Sequence, residues 1–529
     1  MSAAPASAQV FSTYLWVKVH KAPLSPSSDN AHYSRGKVLR ALSWSTVGTV
    51  TAAALVLART LILPRLLSPD EFGLFGLAWF ALWLVSIFSD PALGRVALSL
   101  RFENAEAERR FLDTAWTFSL LRSLVLTLLL AAVAVPYASA VHQPRLAPLL
   151  AVSSISLLLG CWGNPGTALL FRQYDQRTLA LQRVATEALS LAATAIAAFI
   201  WHTAWALVIG SLLGPFIGAA FSYVGHPFRP RLAWHREELA RGLKQGKSLG
   251  IVTALTFVTT QADNFLVGRA LGAGVLGTYQ LAYRMGSLPI ESLHQVVISA
   301  ALPSYVRLRE RGMAAVAARL RLTLSATTFL LCAVLLPALL LRRELVLLVG
   351  GQRWLAAAPL LPPLFLLALL RSTTMQLGTL LFAMERTDLD ARAKVVEALF
   401  FVPCCAFLVA KMGSPGAAWA GVLCYLLALV LRGRAVHLLL PGEGKALAAA
   451  WARLALPAIA CALLGLLAGL EGVPPLLLGP SALAVYVITA FWLDPALPRE
   501  LRSLRRKPAT NPPELPEPPE PIEFEPPSP

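Results

Sequence analysis

The chain has 529 residues, of which 56% are hydrophobic and only 14% are charged, and its formal net charge at pH 7 is +17. Its mean hydropathy of +0.62 lies well above that of soluble globular proteins. The apolar runs last about twenty residues, which suits helices that cross a bilayer core of about 30 Å, whereas barrel strands alternate over about ten residues. The composition therefore predicts an all-α integral membrane protein and excludes a soluble domain and a β-barrel.

Fourteen apolar segments along the chain are predicted to span the membrane. They are 41–63, 72–89, 114–136, 146–163, 180–200, 203–224, 248–268, 277–300, 322–341, 359–383, 393–411, 416–436, 453–470 and 475–493. Twelve of them form two pseudo-symmetric bundles of six helices, and the last two form an added C-terminal pair.

The predicted spans divide the chain into six segments. These are a cytoplasmic N-terminal segment (1–40), an N-terminal six-helix bundle (41–224), a basic cytoplasmic linker (225–247), a C-terminal six-helix bundle (248–441), a helix pair (442–495) and a disordered cytoplasmic tail rich in proline and glutamate (496–529).

An internal repeat supports the division into two bundles. The segment from Leu63 to Trp79 aligns without a gap with the segment from Val267 to Tyr283. The identical positions are Arg65 with Arg269, Leu67 with Leu271, Gly73 with Gly277, Leu77 with Leu281, and Ala78 with Ala282. Many transporters place a substrate site between two halves built on one plan, so the repeat indicates movement of a substrate across a membrane.

Lysine and arginine concentrate in alternate loops of the predicted topology. Because basic residues collect on the cytoplasmic side, this bias predicts that both termini lie in the cytoplasm. Most of the positive charge is explained by topology, so nucleic-acid binding is not indicated. The basic linker is expected to contact anionic lipid.

Neither an enzyme nor a metal or nucleotide site is indicated. No predicted outer loop exceeds about twenty residues, which leaves little room for an extracytoplasmic catalytic domain. The six cysteines lie in apolar spans without metal-ligand spacing and are expected to pack there. The segment from Gly242 to Ser248 resembles a phosphate-binding loop, but its glycine spacing is too short and no strand precedes it. Gly210 and Gly214 form a small-xxx-small pair typical of helix packing.

Charged residues inside the predicted spans define the candidate site, because charge is costly in hydrocarbon and usually faces a polar interior or a partner. The cations are Arg59, Arg122, Arg284 and Arg371, and the anions are Asp263 and Glu291. By the repeat, Arg59 aligns with Asp263 and is expected to lie at a similar depth. The two residues are therefore candidates to pair across the pseudo-symmetry axis.

One face of the eighth span carries a polar stripe. Its members recur at helical spacing and are Gln280, Arg284, Ser287, Glu291 and His294. The stripe is expected to face a cavity. Pro289 in its middle is expected to loosen the helix and free backbone carbonyls. The alternative is a buried Arg-Glu pair that only locks two helices.

Three short motifs carry a resemblance to a known family. They are the run from Gln261 to Gly272 with the following Leu276-Gly277-Thr278-Tyr279 and Pro289, the run from Ser68 to Gly73, and the run from Ser89 to Gly94. The chain resembles the Wzx-like polysaccharide transporters, the oligosaccharide flippases of the MOP superfamily, over roughly residues 36 to 495. The signature positions are Asp90, Arg269, Gly272, Gly277 and Pro289. Pro91 departs from the Gly-containing run that is usual after Asp90.

This resemblance implies a MATE-like fold and a flippase of the bacterial inner membrane. Such a protein moves undecaprenyl-pyrophosphate-linked oligosaccharide across the membrane by alternating access, for polymerisation into surface polysaccharide. The four arginines would then contact the anionic headgroup, since guanidinium groups bind phosphate oxygens bidentately. Asp263, Glu291 and His294 would either hold those arginines or titrate to couple flipping to H⁺ or Na⁺.

The implied partners are the lipid-linked substrate, membrane lipids, and a polysaccharide polymerase with its co-polymerase; no cofactor is implied. Three alternatives stay open. A lipid II flippase uses similar chemistry. A multidrug and toxin exporter of the same superfamily would prefer lipophilic cations, which several arginines repel. A membrane scaffold of a polysaccharide assembly complex could share the topology without transporting anything.

Overall fold

The structure is a computed structural model, and it describes residues 35–100, 102, 104–172, 175–470 and 473–494. The predicted N-terminal segment up to residue 34 and the predicted tail at 496–529 lie outside these described residues.

Helices account for nearly all of the described chain. The first half contains α1 (Arg35–Leu66), α2 (Pro69–Ser89), α3 (Leu93–Ser99), α4 (Ala105–Ala140), α5 (Leu146–Ser153), α6 (Ile155–Cys161), α7 (Thr167–Arg172), α8 (Gln176–Trp201) and α9 (Trp205–Gly225). The remainder contains α10 (Arg236–Leu271), α11 (Ala273–Arg309), α12 (Met313–Leu340), α13 (Arg342–Gly350), a 3₁₀ segment (Gln352–Leu360), α14 (Leu361–Ala383), α15 (Thr387–Met412), α16 (Ser414–Leu439), α17 (Gly444–Leu470) and α18 (Pro475–Leu493).

Eleven helices within the described residues are long and apolar enough to cross a membrane. The chain is therefore a multi-pass membrane protein, as its composition predicts. The seventh and eighth predicted spans fall on α10 and α11, which are long helices outside that set of eleven. The fourth falls on a shorter apolar stretch, Leu146–Cys161. The number fourteen stays a prediction.

A break at Ser154 divides the fourth predicted span into α5 and α6. The Thr127 hydroxyl of α4 donates to the Ser154 carbonyl oxygen at 3.1 Å, so this carbonyl has a partner outside its own helix. The Ser154 hydroxyl donates back to Ala151, at 2.7 Å. These side-chain bonds compete with the regular helical pattern, which explains why one apolar segment forms two short helices.

The two halves repeat one packing plan. In the first half, α8 packs against both α1 and α9; in the second half, α15 packs against both α10 and α16. The final pair, α17 and α18, packs on α12. The halves meet chiefly where α2 crosses α11. This arrangement confirms two pseudo-symmetric bundles with an added C-terminal helix pair.

The crossing of α2 and α11 depends on two glycines that the repeat aligns. A methyl group at Gly73 would overlap the Ala273 carbonyl oxygen, and one at Gly277 would overlap the Pro69 carbonyl oxygen. The repeat also aligns Pro69 with Ala273, so each contact is the image of the other. A pseudo-two-fold axis therefore passes between Gly73 and Gly277, and only residues without Cβ allow the two backbones to touch.

Two arginines that the repeat aligns fasten the halves to each other beside this crossing. Arg65 of the first half donates from Nε to the Leu348 carbonyl of the second, at 3.2 Å. Arg269 of the second half donates to the Ala140 carbonyl of the first. We call these two bonds the arginine latches, and the end of the bundle that holds them the crossing end. The neighbouring Gly272 joins α10 to α11 with a φ of +87°, which favours glycine.

The motif from Ser68 to Gly73 builds the start of α2. The Ser68 hydroxyl caps the helix by accepting from the Glu71 N–H at 3.4 Å, and Pro69 occupies the first turn. The buried Glu71 carboxylate accepts from the Arg145 guanidinium at 2.5 Å and from the Ala204 N–H at 2.6 Å. One carboxylate thus ties together the starts of α2, α5 and α9.

The segment that resembles a phosphate-binding loop lies within helix α10 and forms no loop. A methyl group at Gly246 would overlap the Pro91 carbonyl oxygen, and one at Gly250 would lie 3.1 Å from the Asp90 carbonyl oxygen. The glycines therefore let α10 approach the connection between α2 and α3, which is a second contact between the halves. The extended chain before α10 is held on α4, where Asp113 accepts from the Arg231 N–H at 2.9 Å.

Replacing Gly277 by alanine is expected to lower the free energy of unfolding by about 1–3 kcal/mol, because the new methyl group overlaps a carbonyl oxygen in a close-packed interface. The matched control is Gly433→Ala in α16, where the new methyl group meets no atom within 4 Å. That variant should gain about 0.5–1 kcal/mol from the better helix former. Chemical unfolding of the purified protein in detergent measures both. Equal effects of the two substitutions would contradict the proposed crossing.

Candidate functional site

Arg59 lies at the inner surface of the first half. Its guanidinium donates to the Ser190 hydroxyl at 3.2 Å and lies 3.9 Å from the Glu187 carboxylate, both on α8. The charge of Arg284, from the second half, also acts on Arg59. Arg59 does not pair with Asp263, so that expectation is wrong. The partner of Arg59 comes from its own bundle because α1 packs along α8.

A cavity of about 560 Å³ opens beside Arg59 inside the first half. We call it the first-half cavity; α1, α2, α6, α7, α8 and α9 surround it. Its polar lining comes from Ser156, Asn164, Thr167, Gln182, Thr186, Glu187, Ser190, Thr194, Ser211 and Ser222. Its aromatic lining is Phe75 and Trp79, whose rings stack at 5.8 Å. The cavity thus combines many hydroxyl groups with apolar surface, and a single ion pair lies at its edge.

Gly210 and Gly214 belong to α9 and face α8. A methyl group at Gly210 would overlap the Thr194 hydroxyl, and one at Gly214 would lie 3.5 Å from the Ser190 hydroxyl. These glycines therefore serve helix packing, as their spacing predicts, while the hydroxyl groups opposite them line the first-half cavity.

Arg122 and Asp90 hold the end of α2. Arg122 donates from Nη1 to the Ser86 carbonyl and to the Ser89 hydroxyl, both at 3.2 Å, and the same nitrogen lies 4.0 Å from the Asp90 carboxylate. Asp90 in turn accepts from the Ala92 N–H at 2.9 Å. This turn is the surface on which α10 packs. The observed contacts give Arg122 and the signature residue Asp90 a positioning role.

On α11, Arg284 and Glu291 form an ion pair at 3.8 Å. Both residues belong to the same helix, so the pair does not lock two helices together. Ser287 between them is buried. The helix is continuous through Pro289, and a looser helix at this proline stays a prediction. His294 belongs to the stretch 292–296, whose side chains lie outside the described residues.

Asp263 is buried, with 3% of its surface exposed. Its carboxylate accepts from the Tyr279 hydroxyl at 2.6 Å and from the Asn264 N–H at 2.9 Å. Asn264 also accepts from the Gln280 amide, at 3.2 Å. Asp263 and Asn264 of α10 thus bond to Tyr279 and Gln280 of α11.

Arg371 of α14 reaches the same interior. It donates to the Tyr283 hydroxyl at 3.1 Å, and the charges of Asp263 and Glu291 act on it. The structure therefore brings together Arg371, Glu291 and Asp263 in the second half. The charge of Arg284 acts on Arg59, whereas Arg122 bonds to the end of α2.

A further buried ion cluster joins α15 and α16. Arg432, 4% exposed, donates from Nε to Asp390 at 2.7 Å and from Nη1 to Glu397. The charge of Lys394 acts on both acids. Sequence reasoning missed this cluster and Glu187. The signal was present, because Glu187, Glu397 and Arg432 lie within predicted spans.

The two halves differ in how their interiors are filled. The first half encloses a hydroxyl-lined cavity, whereas charged and phenolic side chains fill the second. Among the described residues, no group of three or more His, Cys, Asp or Glu side chains is arranged to hold a metal ion. The described cations next to open space or an ion pair are Arg59, at the edge of the first-half cavity, and Arg284, paired with Glu291.

Comparison with protein families gives a match over more than half of the chain. The family described as "Polysaccharide biosynthesis protein" matches residues 62–359. The lipopolysaccharide biosynthesis protein WzxC of Escherichia coli is 23% identical and covers 70% of this chain and 74% of its own length. The succinoglycan biosynthesis transport protein ExoT of Rhizobium meliloti is 25% identical over 61% of this chain and 65% of its own length. The teichuronic acid biosynthesis protein TuaB of Bacillus subtilis is 24% identical, with coverages of 67% and 72%.

Two solved structures share the fold. The lipid II flippase MurJ in an inward closed conformation superposes with a TM-score of 0.69 at 14% identity, over 87% of this chain and 99% of its own. An inward-facing MATE multidrug resistance transporter of the MOP superfamily superposes with a TM-score of 0.54 at 16% identity, over 75% and 95%. At these identities the superpositions show the fold alone, and it is the MOP fold.

Removing the buried carboxylate of Glu397 should leave the Nη1 group of Arg432 without its acceptor, while Asp390 still accepts from Nε. We expect Glu397→Ala to lower the free energy of unfolding by about 3–5 kcal/mol, as for other broken buried pairs. The control is Glu385→Ala, since Glu385 accepts from Arg309 at 3.2 Å in an exposed pair, and such pairs contribute at most about 1 kcal/mol. Chemical unfolding in detergent compares the two. Losses of equal size would show that the cluster is not a stabilising buried network.

Proposed function

The chain belongs to the polysaccharide biosynthesis protein family, and we propose that it is a flippase for undecaprenyl-pyrophosphate-linked oligosaccharide repeat units. It is a membrane transporter rather than an enzyme, in keeping with its homologues. In this proposal it moves the repeat unit across the bacterial inner membrane, with both termini in the cytoplasm. The product is a surface polysaccharide such as O-antigen, capsule or exopolysaccharide.

The observation that carries the proposal is that two cations lie inside the membrane-spanning bundle, Arg59 at the first-half cavity and Arg284 on α11. Each cation has a carboxylate nearby, Glu187 at 3.9 Å and Glu291 at 3.8 Å, and both separations exceed hydrogen-bond length. Two guanidinium groups with donors to spare suit a pyrophosphate, which accepts bidentate, charge-assisted bonds. Arg371, which donates to the Tyr283 hydroxyl, is a third cation proposed to act on the headgroup.

The mechanism in this proposal is alternating access about the pseudo-two-fold axis. The glycine crossing and the arginine latches close the crossing end. The predicted orientation places this end on the outer side of the inner membrane. Rocking of the halves would break these contacts and open the site outward, while the lipid tail stays in the bilayer. Substrate must bind the two states with different affinity to drive this change. Asp263, Glu291 and His294 are the groups proposed to couple it to H⁺ or Na⁺.

The alternatives differ in substrate. The cations that suit a pyrophosphate repel lipophilic cations, which disfavours a multidrug exporter. Lipid II carries the same pyrophosphate, so the choice between it and a polysaccharide repeat unit depends on the sugar. A polysaccharide polymerase and its co-polymerase are the proposed protein partners, since they act on the flipped repeat unit.

Deletion of the gene in its host is expected to abolish surface polysaccharide and to accumulate intact lipid-linked repeat units. Wild type and Arg309→Ala, an exposed change on the same helix as Arg284, should restore the polymer. Arg284→Ala should restore about a tenth or less, since charge-assisted bonds contribute about 1.5–3 kcal/mol each. Extraction of lipid-linked intermediates and surface polymer measures this, with protein levels checked by immunoblot.

Two results of this experiment would contradict the proposal. Unchanged polymer with increased sensitivity to cationic dyes would indicate an exporter. A block in peptidoglycan synthesis with accumulated lipid II would indicate the lipid II substrate.

The double variant Arg65→Ala/Arg269→Ala is expected to favour the outward-open state. Two charged donors are lost, so the equilibrium should move by about tenfold or more. Ser287→Cys, in a background without the native cysteines, reports this through labelling by an impermeant maleimide added outside the cell. The control is Arg342→Ala, because Arg342 donates to the Leu339 carbonyl within its own half. Unchanged labelling in the double variant would show that the latches do not hold the crossing end closed.

A further inference from the structure

The first-half cavity has the size of a small-molecule site. Its volume of about 560 Å³ lies within the range of about 300–1,000 Å³ that is usual for such pockets. It is enclosed by helices of one half, so it is separate from the charged network of α14, α15 and α16. At Arg59 it adjoins the boundary where the pyrophosphate is proposed to bind.

The hydroxyl groups of the cavity present mostly acceptor atoms. Ser211 donates to the Val208 carbonyl at 2.7 Å and Thr194 to the Ser190 carbonyl at 2.6 Å. Ser222 donates to the Ala219 carbonyl at 2.5 Å and already accepts from the Asn164 N–H at 2.8 Å. A hydroxyl that donates to its own helix keeps lone pairs for other partners. These lone pairs suit a ligand that carries many hydroxyl donors.

One polar atom of the cavity has no protein partner. The Thr186 hydroxyl is buried and makes no hydrogen bond to any described residue. Such a group usually costs stability unless a ligand or water completes it. Thr186 lies on α8 beside Glu187, so a ligand that bonds to Thr186 also reaches the carboxylate.

The aromatic side chains and the net charge of the first-half cavity indicate which class of ligand it can bind. Phe75 and Trp79 offer flat apolar faces along α2, and the one ion pair, Arg59 with Glu187, leaves the cavity without net charge among its described lining residues. Flat apolar rings beside hydroxyl, amide and carboxylate groups suit a neutral sugar, which has apolar C–H faces and a hydroxyl rim. A free anion would find too little counter-charge there, because Glu187 neutralises Arg59.

We infer that the first-half cavity is a carbohydrate subsite that holds sugar of the repeat unit while the pyrophosphate lies between Arg59 and Arg284. The inference rests on the proposed function and adds to it a second part of the substrate site. The subsite selects the repeat unit by its size and by its hydroxyl pattern. Thr186, Glu187 and Trp79 are its specificity-determining residues.

Two neighbouring alanines of α9 give a matched test. Ala219 lines the cavity, whereas Ala220 is exposed on the outer surface of the bundle. Ala219→Leu fills the cavity and Ala220→Leu adds the same bulk outside it. The probe is the oligosaccharide released by mild acid from the host's lipid-linked repeat units and freed of phosphate. Calorimetric titration into the full-length protein in nanodiscs measures its affinity.

We expect the oligosaccharide to bind wild type and Ala220→Leu equally, and Ala219→Leu at least tenfold more weakly. Thr186→Val keeps the shape of the side chain and removes the unpartnered hydroxyl. Its affinity should fall by about two- to tenfold, the effect of one neutral hydrogen bond, while its thermal stability stays equal or rises. If Ala219→Leu is unstable, the weaker affinity of Thr186→Val at unchanged thermal stability still separates a binding role of the cavity from a structural one.

The outcomes separate this inference from the proposed function. No binding of the oligosaccharide to wild type, or equal binding to both leucine variants and to Thr186→Val, overturns the carbohydrate subsite and leaves the flippase function standing if wild type restores surface polymer. Failure of wild type to restore the polymer overturns the flippase function itself.

Discussion

The contact between the backbones at Gly73 and Gly277 is the constraint on which the rest of the structure depends. In a bilayer, helices gain little from the hydrophobic effect and associate through close packing, so residues without Cβ decide where two helices touch. Because the two glycines occupy aligned positions of the repeat, their contact fixes the pseudo-symmetry axis. The arginine latches lie beside it in related positions, and Glu71 ties α2 to the rest of its bundle.

A second constraint is that polar groups inside the membrane need partners. The second half meets it with an internal network of Tyr, Asp, Glu, Lys and Arg. In the first half, polar side chains also line open space, where the Thr186 hydroxyl has no partner among the described residues. Arg284 and Glu291 align with Phe80 and Ile87 in the repeat, so the two halves differ in charge at these positions. Such divergence suits a substrate whose headgroup is charged at one end and neutral at the other.

The sequence predicts the membrane class, the repeat and most of the spans, because these follow from residue type and period. The repeat even identifies Gly73 and Gly277 as equivalent, and they turn out to touch. Pairing could not be predicted in the same way. Arg59 bonds to α8 rather than to Asp263, since the rotation of each helix decides which faces meet. The break at Ser154 likewise depends on Thr127 from another helix.

Glu397 and Arg432 show a different limit. Each lies within a predicted span, so the rule that identified Arg371 applies to them equally. Their network is complete within itself, and buried pairs of this kind stabilise or position without binding substrate. Charge inside a span therefore indicates a polar interior. Only the geometry separates cations with spare hydrogen-bond donors from cations whose donors already bond to carboxylates.

The position of α2 connects the proposed sugar subsite to the movement of the halves. Gly73 touches the second half, and Phe75 and Trp79 line the first-half cavity within about two turns of the same helix. A helix moves as a rigid element over such a distance, so sugar packed against Trp79 and opening of the crossing both act on α2. A ligand changes a conformational equilibrium only by its difference in affinity for the two states. Contact with α2 would give the sugar a different affinity for the two states. A pyrophosphate bound to Arg59 and Arg284 alone would have to supply that difference by its charge.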